Sequence, residues 1–579
     1  MKKRLLIPFL SLLALASCST NSSSTDENYG SDYSFNEQIS ITEIKEITVE
    51  ETTQDFEMTT SDGNFTKSGT TYSITKGGTY SLVGKLDGQI LISAGESDEV
   101  VLELNGVSIS NSSDSPIKAI SGSKVEISAK SGSGNIIKDN RSKKTSEVES
   151  VGEGAISSSI DLKLKGSGTL VVNGNYNNGI HTSKDLTIQN VTLKSTGYNN
   201  AIKGKDSVNI QSGTIQGYGL NGNGIKTDNS DISSKGNQRG TISIDGGNIY
   251  VDSLHDAIDA SYDIVIDEVD NEVATSLIIK TGTSSSSYNK STFKSSSEKG
   301  LKAANQITVN KGTTVISASD DAIHANYGDT LENGNKGVGN ITINDGVIQI
   351  ASGDDGLHAD NTLNVNGGKV IVTNAKEGFE ANYINITGGS SYIYGSDDGV
   401  NCSKKSFNNC AFTMSGGYLD VAVKSGDTDG IDSNGSFTLS GGTIVTRGAP
   451  GTSGNNMSTG LDVDGTISMT GGTLIAFNGL EKSPSTSNTI KYAGTSGTNS
   501  MGIGGRPGQN QPSSSSSKLN AGKYVLSGTG LNISFTNDYV YGSFQVYSSS
   551  LSSGGSYTLA LDGSNIYSWS QSSNSVTIS

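Results

Sequence analysis

Basic residues are in short supply in this chain: 41 Lys and Arg stand against 58 Asp and Glu over 579 residues, a net charge of −17. A surface of that sign repels nucleic acid and anionic lipid and attracts divalent cations. Hydrophobic residues make up only 32%, which is low for an ordinary globular core. Apart from residues 5–16 there is no long apolar run, and that one is too short to span a membrane. Proline numbers 6 against 74 glycines, so glycine has to make the tight corners. A Gly- and Ser-rich acidic chain with so little to bury has the composition of a disordered protein, unless its few apolar residues are phased.

They are phased. Between residues 154 and 463 one short pattern recurs twelve times: a turn residue, then Gly or Ala, then a large apolar residue, then a polar one. Copies include Asn178-Gly179-Ile180-His181, Asp256-Ala257-Ile258-Asp259, Asp355-Gly356-Leu357-His358 and Asp429-Gly430-Ile431-Asp432. The apolar anchors are Ile156, Ile180, Ile202, Ile225, Ile258, Leu301, Ile323, Leu357, Phe379, Val400, Ile431 and Leu461. Their shortest spacings cluster at 21–24 residues. Longer spacings read as the same unit carrying an inserted loop, at residues 228–240, 264–276, 284–298 and 327–339. A fixed period in this range marks a solenoid.

Each unit reads as short alternating runs broken by Gly-Gly corners, as at Gly388-Gly389, Gly416-Gly417 and Gly441-Gly442, rather than as helix-length apolar stripes. The leucine consensus of leucine-rich repeats is missing. The pattern predicts an all-β, right-handed parallel β-helix, its hand following the preference of parallel crossovers. The anchors should stack inward, one per rung. Twelve rungs about 4.8 Å apart give a rod on the order of 55 Å before its caps. Each coil then buries its few apolar residues against its neighbours, which lets so sparse a composition fold.

Residues 1–17 read as a secretory signal, with Lys2, Lys3 and Arg4 ahead of the apolar stretch and Leu15-Ala16-Ser17-Cys18 at its end. That ending resembles a bacterial lipobox, which makes Cys18 the lipid-bearing residue of a protein exported across the inner membrane. The lipid would be its sole membrane anchor, at the cell envelope or cell surface. An ordinary signal peptide cleaved near Ser17 is the alternative. Loss of the three basic residues takes the net charge to −20. Residues 18–30 are expected to be a flexible tether, 31–75 an N-terminal β cap, and 76–500 the β-helix. Residues 501–518 read as a Pro- and Ser-rich linker or loop, and 519–579, with the single Trp569, as a closing β cap. Cys402 and Cys410 form either a local disulfide or two buried thiols, and the protein is expected to be a monomer.

In a β-helix, equivalent residues of successive coils form columns. The turn column changes from amides (Asn178, Asn200, Asn223) to acids (Asp321, Asp355, Glu377, Asp398, Asp429), and the column after the anchors changes from His181, Lys203 and Lys226 to Glu380, Asp432 and Asp462. Carboxylates a rung apart repel unless a cation lies between them. Ca²⁺ suits oxygen ligands in a secreted protein, and the candidate ligands are Asp320, Asp321, Asp354, Asp355, Glu377, Glu380, Asp397, Asp398, Asp427, Asp429 and Asp432. Turn-capping aspartates held by backbone N–H groups are the competing explanation. His181, His324 and His358 share one column, but the distance of His181 from the other two gives zinc weak support. Tyr176 and Tyr198 each precede an anchor by four residues and should stack. With Asn178, Asn200, Lys203 and Lys226 they make a candidate polysaccharide-binding surface, or else a structural ladder.

Residues 79–90 (TYSLVGKLDGQI) and 100–109 (VVLELNGVSI) resemble the N-terminal signature of the secreted carbohydrate-binding parallel β-helix proteins first defined in cellulolytic clostridia. The resemblance runs from about Tyr72 to the C-terminal strands and includes Asp355-Gly356-Leu357-His358. It implies bound Ca²⁺ and non-catalytic binding of cellulose-like and acidic, pectin-like glycans. That family is similar in fold to pectate lyases, so a Ca²⁺-dependent lyase is the main rival. A lyase needs a Lys or Arg base beside its acidic cluster, yet the densest acids, Asp398, Asp429 and Asp432, have no lysine in register, and Lys299 and Lys302 lie elsewhere. An adhesin or inert stalk is the third reading.

Overall fold

The computed structural model describes residues 29–30, 45–145, 152–269, 273–282, 297–332, 334–426, 428–450, 458–495 and 519–579. The leader with Cys18, residues 501–518 and Asp427 lie outside the described residues. Among the described residues every regular element is a strand.

One coil consists of Asn178–Thr182, Asp185–Gln189 and Val191–Gly197. Each strand pairs in parallel with its counterpart one coil earlier and one coil later. Stacking the coils makes three long parallel sheets, numbered first to third in the order the chain meets them. The molecule is therefore a parallel β-helix. All twelve anchors are in register along the first sheet. The ladder extends beyond them, to Tyr72, Ile90 and Ile117 before Ile156 and to Leu480 after Leu461. These four escape the sequence pattern because no Gly or Ala precedes Tyr72, Ile90 or Ile117, and Leu480 lies in an irregular last turn. Every member of the ladder is buried, and burying an Ile or Leu side chain contributes roughly 1.5–3 kcal/mol. The second sheet sends a parallel file inward that includes Ile341, Leu363, Ile384, Phe412 and Phe437, the last two rings stacked at 5.0 Å.

Two places in a coil favour a glycine or another small or turn-forming residue. At the corner between second and third sheets Gly417 adopts φ +81°, and a Cβ there would lie 2.7 Å from the Gly388 backbone of the preceding coil. Before the anchor, a Cβ on Gly399 would lie 2.7 Å from the carbonyl oxygen of Gly430 on the next coil. The two requirements explain the Gly-Gly corners and the small residue that precedes each anchor.

Two expectations need correction, and the open choice at the cysteines is decided. Residues 264–276 are not a loop: Asp263–Ile266 belongs to the second sheet and Thr275–Thr281 to the third, so only the connection between them is long. The sequence signal failed because both strands are short and the connection between them is polar. The insert at 327–339 contains an antiparallel hairpin, Tyr327–Thr330 with Lys336–Val338. Its Glu332 pairs through backbone and side chain with Ser230 in the insert at 228–240. Cys402 and Cys410 are free thiols; Cys402 fills the inward file between Ala381 and Ser433, and the Cys410 thiol donates to the Cys402 carbonyl at 3.2 Å.

Before the first coil, Glu57–Thr60 runs antiparallel to Gly78–Asp87, and Phe65–Ser68 forms a hairpin with Thr71–Ile74. Residues 45–55 do something different: they cross the outside of the third sheet as a strap. Gln54 and Thr52 bond to Lys85 and Ser108, Glu51 pairs with Lys85 and Lys138, Glu46 pairs with Lys194, and Lys45 and Ile47 clasp the Gln216 amide. At the other end Phe544–Ser548 runs antiparallel to the last third-sheet strand, Thr473–Phe477. A separate sheet of Leu531–Asn537, Gly522–Gly528, Ser556–Leu561 and Ser564–Ser570 packs over it, centred on Phe477 with Tyr524, Phe535, Tyr541 and Phe544 around its ring. Arg447 is wholly buried at this junction. It pairs with Asp420 of the β-helix and donates to Asn537 and the Thr536 carbonyl of the closing sheet.

Candidate functional site

The turn column of the first sheet is a hydrogen-bonded ladder. Asn178 Oδ1 accepts the Asn200 N–H at 3.2 Å and Asn200 Oδ1 that of Asn223 at 3.0 Å. In the acidic half, Asp256 accepts from Lys299, Asp321 from Asp355, Asp355 from Glu377, Asp398 from Asp429, and Asp429 from Thr459. One side-chain oxygen of each turn residue thus satisfies a backbone donor one coil on. An amide completes this duty neutrally, whereas a carboxylate is left with a charge to balance. Turn capping and cation demand are therefore both present, on different oxygens of the same groups.

Three stretches of the edge balance that charge differently. In the first, the candidate sugar surface is internally engaged. Asn178 and Asn200 are buried in the ladder. Lys203 pairs with Asp228 at 2.5 Å, and Lys226 with Asp259 at 2.5 Å. The tyrosines do not form the expected stack. The Arg141 guanidinium lies 4.0 Å from the ring centroid of Tyr176 and the Lys143 ammonium 4.5 Å from that of Tyr198. These cations come from the segment just before the first anchor, too far away in sequence for the repeat spacing to reveal them.

In the middle stretch the acids meet protein cations. Lys299 lies 2.9 Å from Asp320 and 2.6 Å from Asp321. His324 Nδ1 and His358 Nδ1 each lie 2.7 Å from a carboxylate oxygen, of Asp321 and Asp355 respectively. His358 Nδ1 is also 3.0 Å from Glu380, which Lys405 and Ser403 hold. The two imidazoles are stacked at 4.3 Å. Burial opposes charge on His358, but hydrogen bonds to Asp355 and Asp360 raise it to about 10. Burial likewise opposes charge on Asp321, but His324 and Lys299 hold it well below the usual carboxylate range. Asp360, absent from the sequence candidates, faces both Nε2 atoms. Its signal was the spacing His358-Ala359-Asp360, which brings an acid back to the same side of the strand.

The last stretch lacks such partners. Asn401, Asp432 and Asp462 are in register on consecutive rungs, with Asp398 and Asp429 beside them in the turn column. Among the described residues no Lys, Arg or His ion pair reaches Asp398, Asp432 or Asp462. Burial, then repulsion from Asp432, Asp429 and Asp397, pushes Asp398 up to about 8 against the hydrogen bond from the Asp429 N–H. Burial and then Asp429 push Asp432 up to about 6, and burial and then Glu481 push Asp462 up to about 7. Asn401 Oδ1 on the coil of Asp398 and Glu377 Oε2 one rung before it are buried without a protein hydrogen-bond donor. Asp397 lies 3.9 Å from Lys376; Asp354 joins Asp320 and Asp321 in the middle group. Such a set of oxygens, crowded and short of donors, can hold a hard divalent cation. Asp462, Glu481 and Asn401 were not among the sequence's metal candidates. Asp462 and Asn401 were visible in the column, but Glu481 approaches from the irregular turn after the last rung.

A family profile described as "Carbohydrate-binding domain-containing protein" matches residues 68–338 and 336–561. A protein of the same description from Acetivibrio thermocellus is 41% identical over 126 residues, 21% of this chain and 44% of the relative. The chain thus spans less than half the length of that curated relative. Among solved structures, the polysaccharide lyase-like protein from C. thermocellum, a gadolinium derivative, is similar over 36% of this chain and 82% of its own, at 36% identity and a TM-score of 0.32.

Proposed function

Because the chain belongs to the family of carbohydrate-binding domain-containing proteins, we propose that it binds acidic polysaccharide through Ca²⁺ held at the last stretch of the first-sheet edge. The observation that carries this reading is the crowding of Asp398, Asp432 and Asp462 without a protein cation, beside the donorless oxygens of Glu377 and Asn401. Those residues and Asp429 would be the ligands, and the ion supplies the charge that lets an anionic protein approach an anionic glycan. The uronate carboxylate would complete the oxygen shell of six to eight ligands that Ca²⁺ takes.

Binding without cleavage fits the engagement of the lysines: Lys376 and Lys405, near the edge, pair with Glu377 and Glu380, and Lys299 and Lys302 lie further off. Lys302 pairs with Asp256 at 3.1 Å, four rungs or roughly 19 Å from the coil of Asp398, and Lys299 is committed to Asp320 and Asp321. Arg447 is sealed beneath the closing sheet. Tyr176, Tyr198, Asn178, Asn200, Lys203 and Lys226 are a weaker platform for sugar, since cations already occupy the rings and the amides are buried. The lipobox-like leader supports a place at the cell envelope, with Cys18 as the anchor.

The test is binding of polygalacturonate and of a neutral, cellulose-like glucan by the purified chain, in Ca²⁺ and in chelator. Uronate binding that disappears in chelator and in the Asp398→Asn, Asp432→Asn double variant supports the reading. Uronate binding unchanged by both overturns the calcium site. Release of unsaturated uronides would replace binding with lyase activity, and failure to bind either glycan would leave a structural stalk.

A further inference from the structure

The middle stretch carries a second arrangement, independent of the carbohydrate reading. His324 and His358 sit on consecutive rungs, paired in register, with rings 4.3 Å apart and inclined by 10°. Each Nδ1 is tied to its own carboxylate three residues back, Asp321 and Asp355, at 2.7 Å. Each Nε2 therefore points away from that tie, and both face one atom: Asp360 Oδ1 lies 3.5 Å from His324 Nε2 and 3.3 Å from His358 Nε2. Asp360 is itself fixed, because its other oxygen accepts the Tyr327 N–H at 2.8 Å.

We propose that His324 Nε2, His358 Nε2 and Asp360 Oδ1 form a binding site for a borderline-soft divalent ion of the Zn²⁺ class, distinct from the Ca²⁺ edge. Nitrogen donors select such an ion over Ca²⁺, which takes oxygen ligands. The carboxylate behind each imidazole is the support that metal-bound histidines ordinarily have: it holds a proton on Nδ1 and directs Nε2 to the ion, which takes the place of any proton carried there. Each of the three proposed ligands thus has its orienting partner in place, and the supports have theirs. Asp321 is held by Lys299 and by the Asp355 N–H, and Asp355 by the Glu377 N–H. The oxygen–nitrogen separations of 3.3 and 3.5 Å already match those between ligands that each lie about 2.0–2.2 Å from a tetrahedral ion, so metal binding requires chiefly that the stacked rings tilt until their in-plane Nε2 lone pairs converge. The histidine side chains are 14% and 11% exposed, so three protein ligands leave a coordination position on the solvent side.

The chain stripped with chelator is titrated with Zn²⁺ by calorimetry and with Co²⁺ by visible absorption, in the presence of excess Ca²⁺. One ion of each metal should bind, with a Co²⁺ absorption band of nitrogen–oxygen coordination that Zn²⁺ abolishes. His358→Gln should weaken binding at least 100-fold and Asp321→Asn, which removes only the support, by about 10–100-fold. The Asp398→Asn, Asp432→Asn variant should bind Zn²⁺ as the parent does, which separates failure of this site from failure of the calcium edge. Absence of the Co²⁺ band in the unaltered chain overturns the proposal without reliance on any variant folding. So does Zn²⁺ affinity that is unchanged in a folded His324→Gln, His358→Gln chain.

Discussion

Asp398 Oδ1 accepts the backbone N–H of Asp429, one coil further on, at 2.8 Å. The same carboxyl group is raised to about 8 by burial and by Asp432, Asp429 and Asp397. A structural bond therefore holds in place a charge that the fold by itself disfavours.

The pH dependence of stability follows from that conflict. Asp398, Asp432 and Asp462 all have folded-state values above those of the unfolded chain, at about 8, 6 and 7. Such groups contribute stability below pH 4 that is lost as pH rises through the folded values. Between pH 5 and 8 in chelator, their contribution should make the melting temperature fall. Ca²⁺ should oppose the fall, with an effect that grows toward pH 8 as the carboxyls ionise. An ion at a hundred times its Kd adds about 2.7 kcal/mol. A melting temperature that is equally sensitive to pH with and without Ca²⁺ would refute this.

Asp398→Asn should keep the ladder acceptor and remove the charge. In chelator at pH 8 it should melt higher than the parent, and it should lose most of the Ca²⁺-induced shift. Asp398→Ala removes the acceptor as well, leaving the Asp429 N–H short of a partner, and should be less stable than the Asn variant by about 1–3 kcal/mol. Differential scanning calorimetry on the two variants separates bond from charge.

Leu357 lies in the middle of the anchor ladder, between Ile323 and Phe379, and is fully buried. Leu357→Ala should cost about 2–5 kcal/mol by leaving a cavity. Leu357→Asp should abolish the local coils, because an unpaired charge would enter the stack. Hydrogen exchange across residues 323–402 reads both outcomes, and protection unchanged in the Asp variant would contradict the inward placement.

Arg447→Met should loosen the closing sheet by leaving Asp420 buried and unpaired, at about 3–5 kcal/mol. Adding Asp420→Leu should restore most of that loss. Proteolysis of residues 519–579 should accelerate in the single variant and slow again in the double one. If both variants are cleaved at the parent rate, Arg447 is not what fastens the cap.

What the sequence made legible was what repeats. Ile180, Ile202 and Ile225 could be aligned because each coil restates the same steric demand, a small residue ahead of an inward apolar one. The columns of polar residues followed from that register, so Asp398, Asp429 and Asp432 were visible as neighbours. Charge compensation was not legible, because the spacing of the repeat does not say which cation reaches which acid, and some of the cations come from outside it. Lys299 and Lys405 neutralise acids one coil away, Arg141 and Lys143 reach Tyr176 and Tyr198 from an irregular segment, and Asp360 faces the histidines from a register shift within its own strand. The same acidic column therefore read as one long calcium edge, whereas Lys299 and His358 already balance its first half.

The strap of residues 45–55 alters how the rod comes apart. In a stack of coils that touch only their neighbours, opening can begin between any two of them and run outward like a zipper. From Lys85 to Gln216 the strap crosses six successive third-sheet strands at right angles to them, bonding to five. A crack between any two of these coils opens only when the strap is stripped from the coils on one side of it, so this third of the molecule resists opening rung by rung. Beyond Gln216 the ties among the described residues are fewer, with Ser230 and Glu332 joining two inserts before the closing sheet is reached, and fraying between such ties can proceed rung by rung. The coil of Asp398 falls under the closing sheet, where Tyr394 meets Tyr539, so its carboxylate edge opens only with the cap.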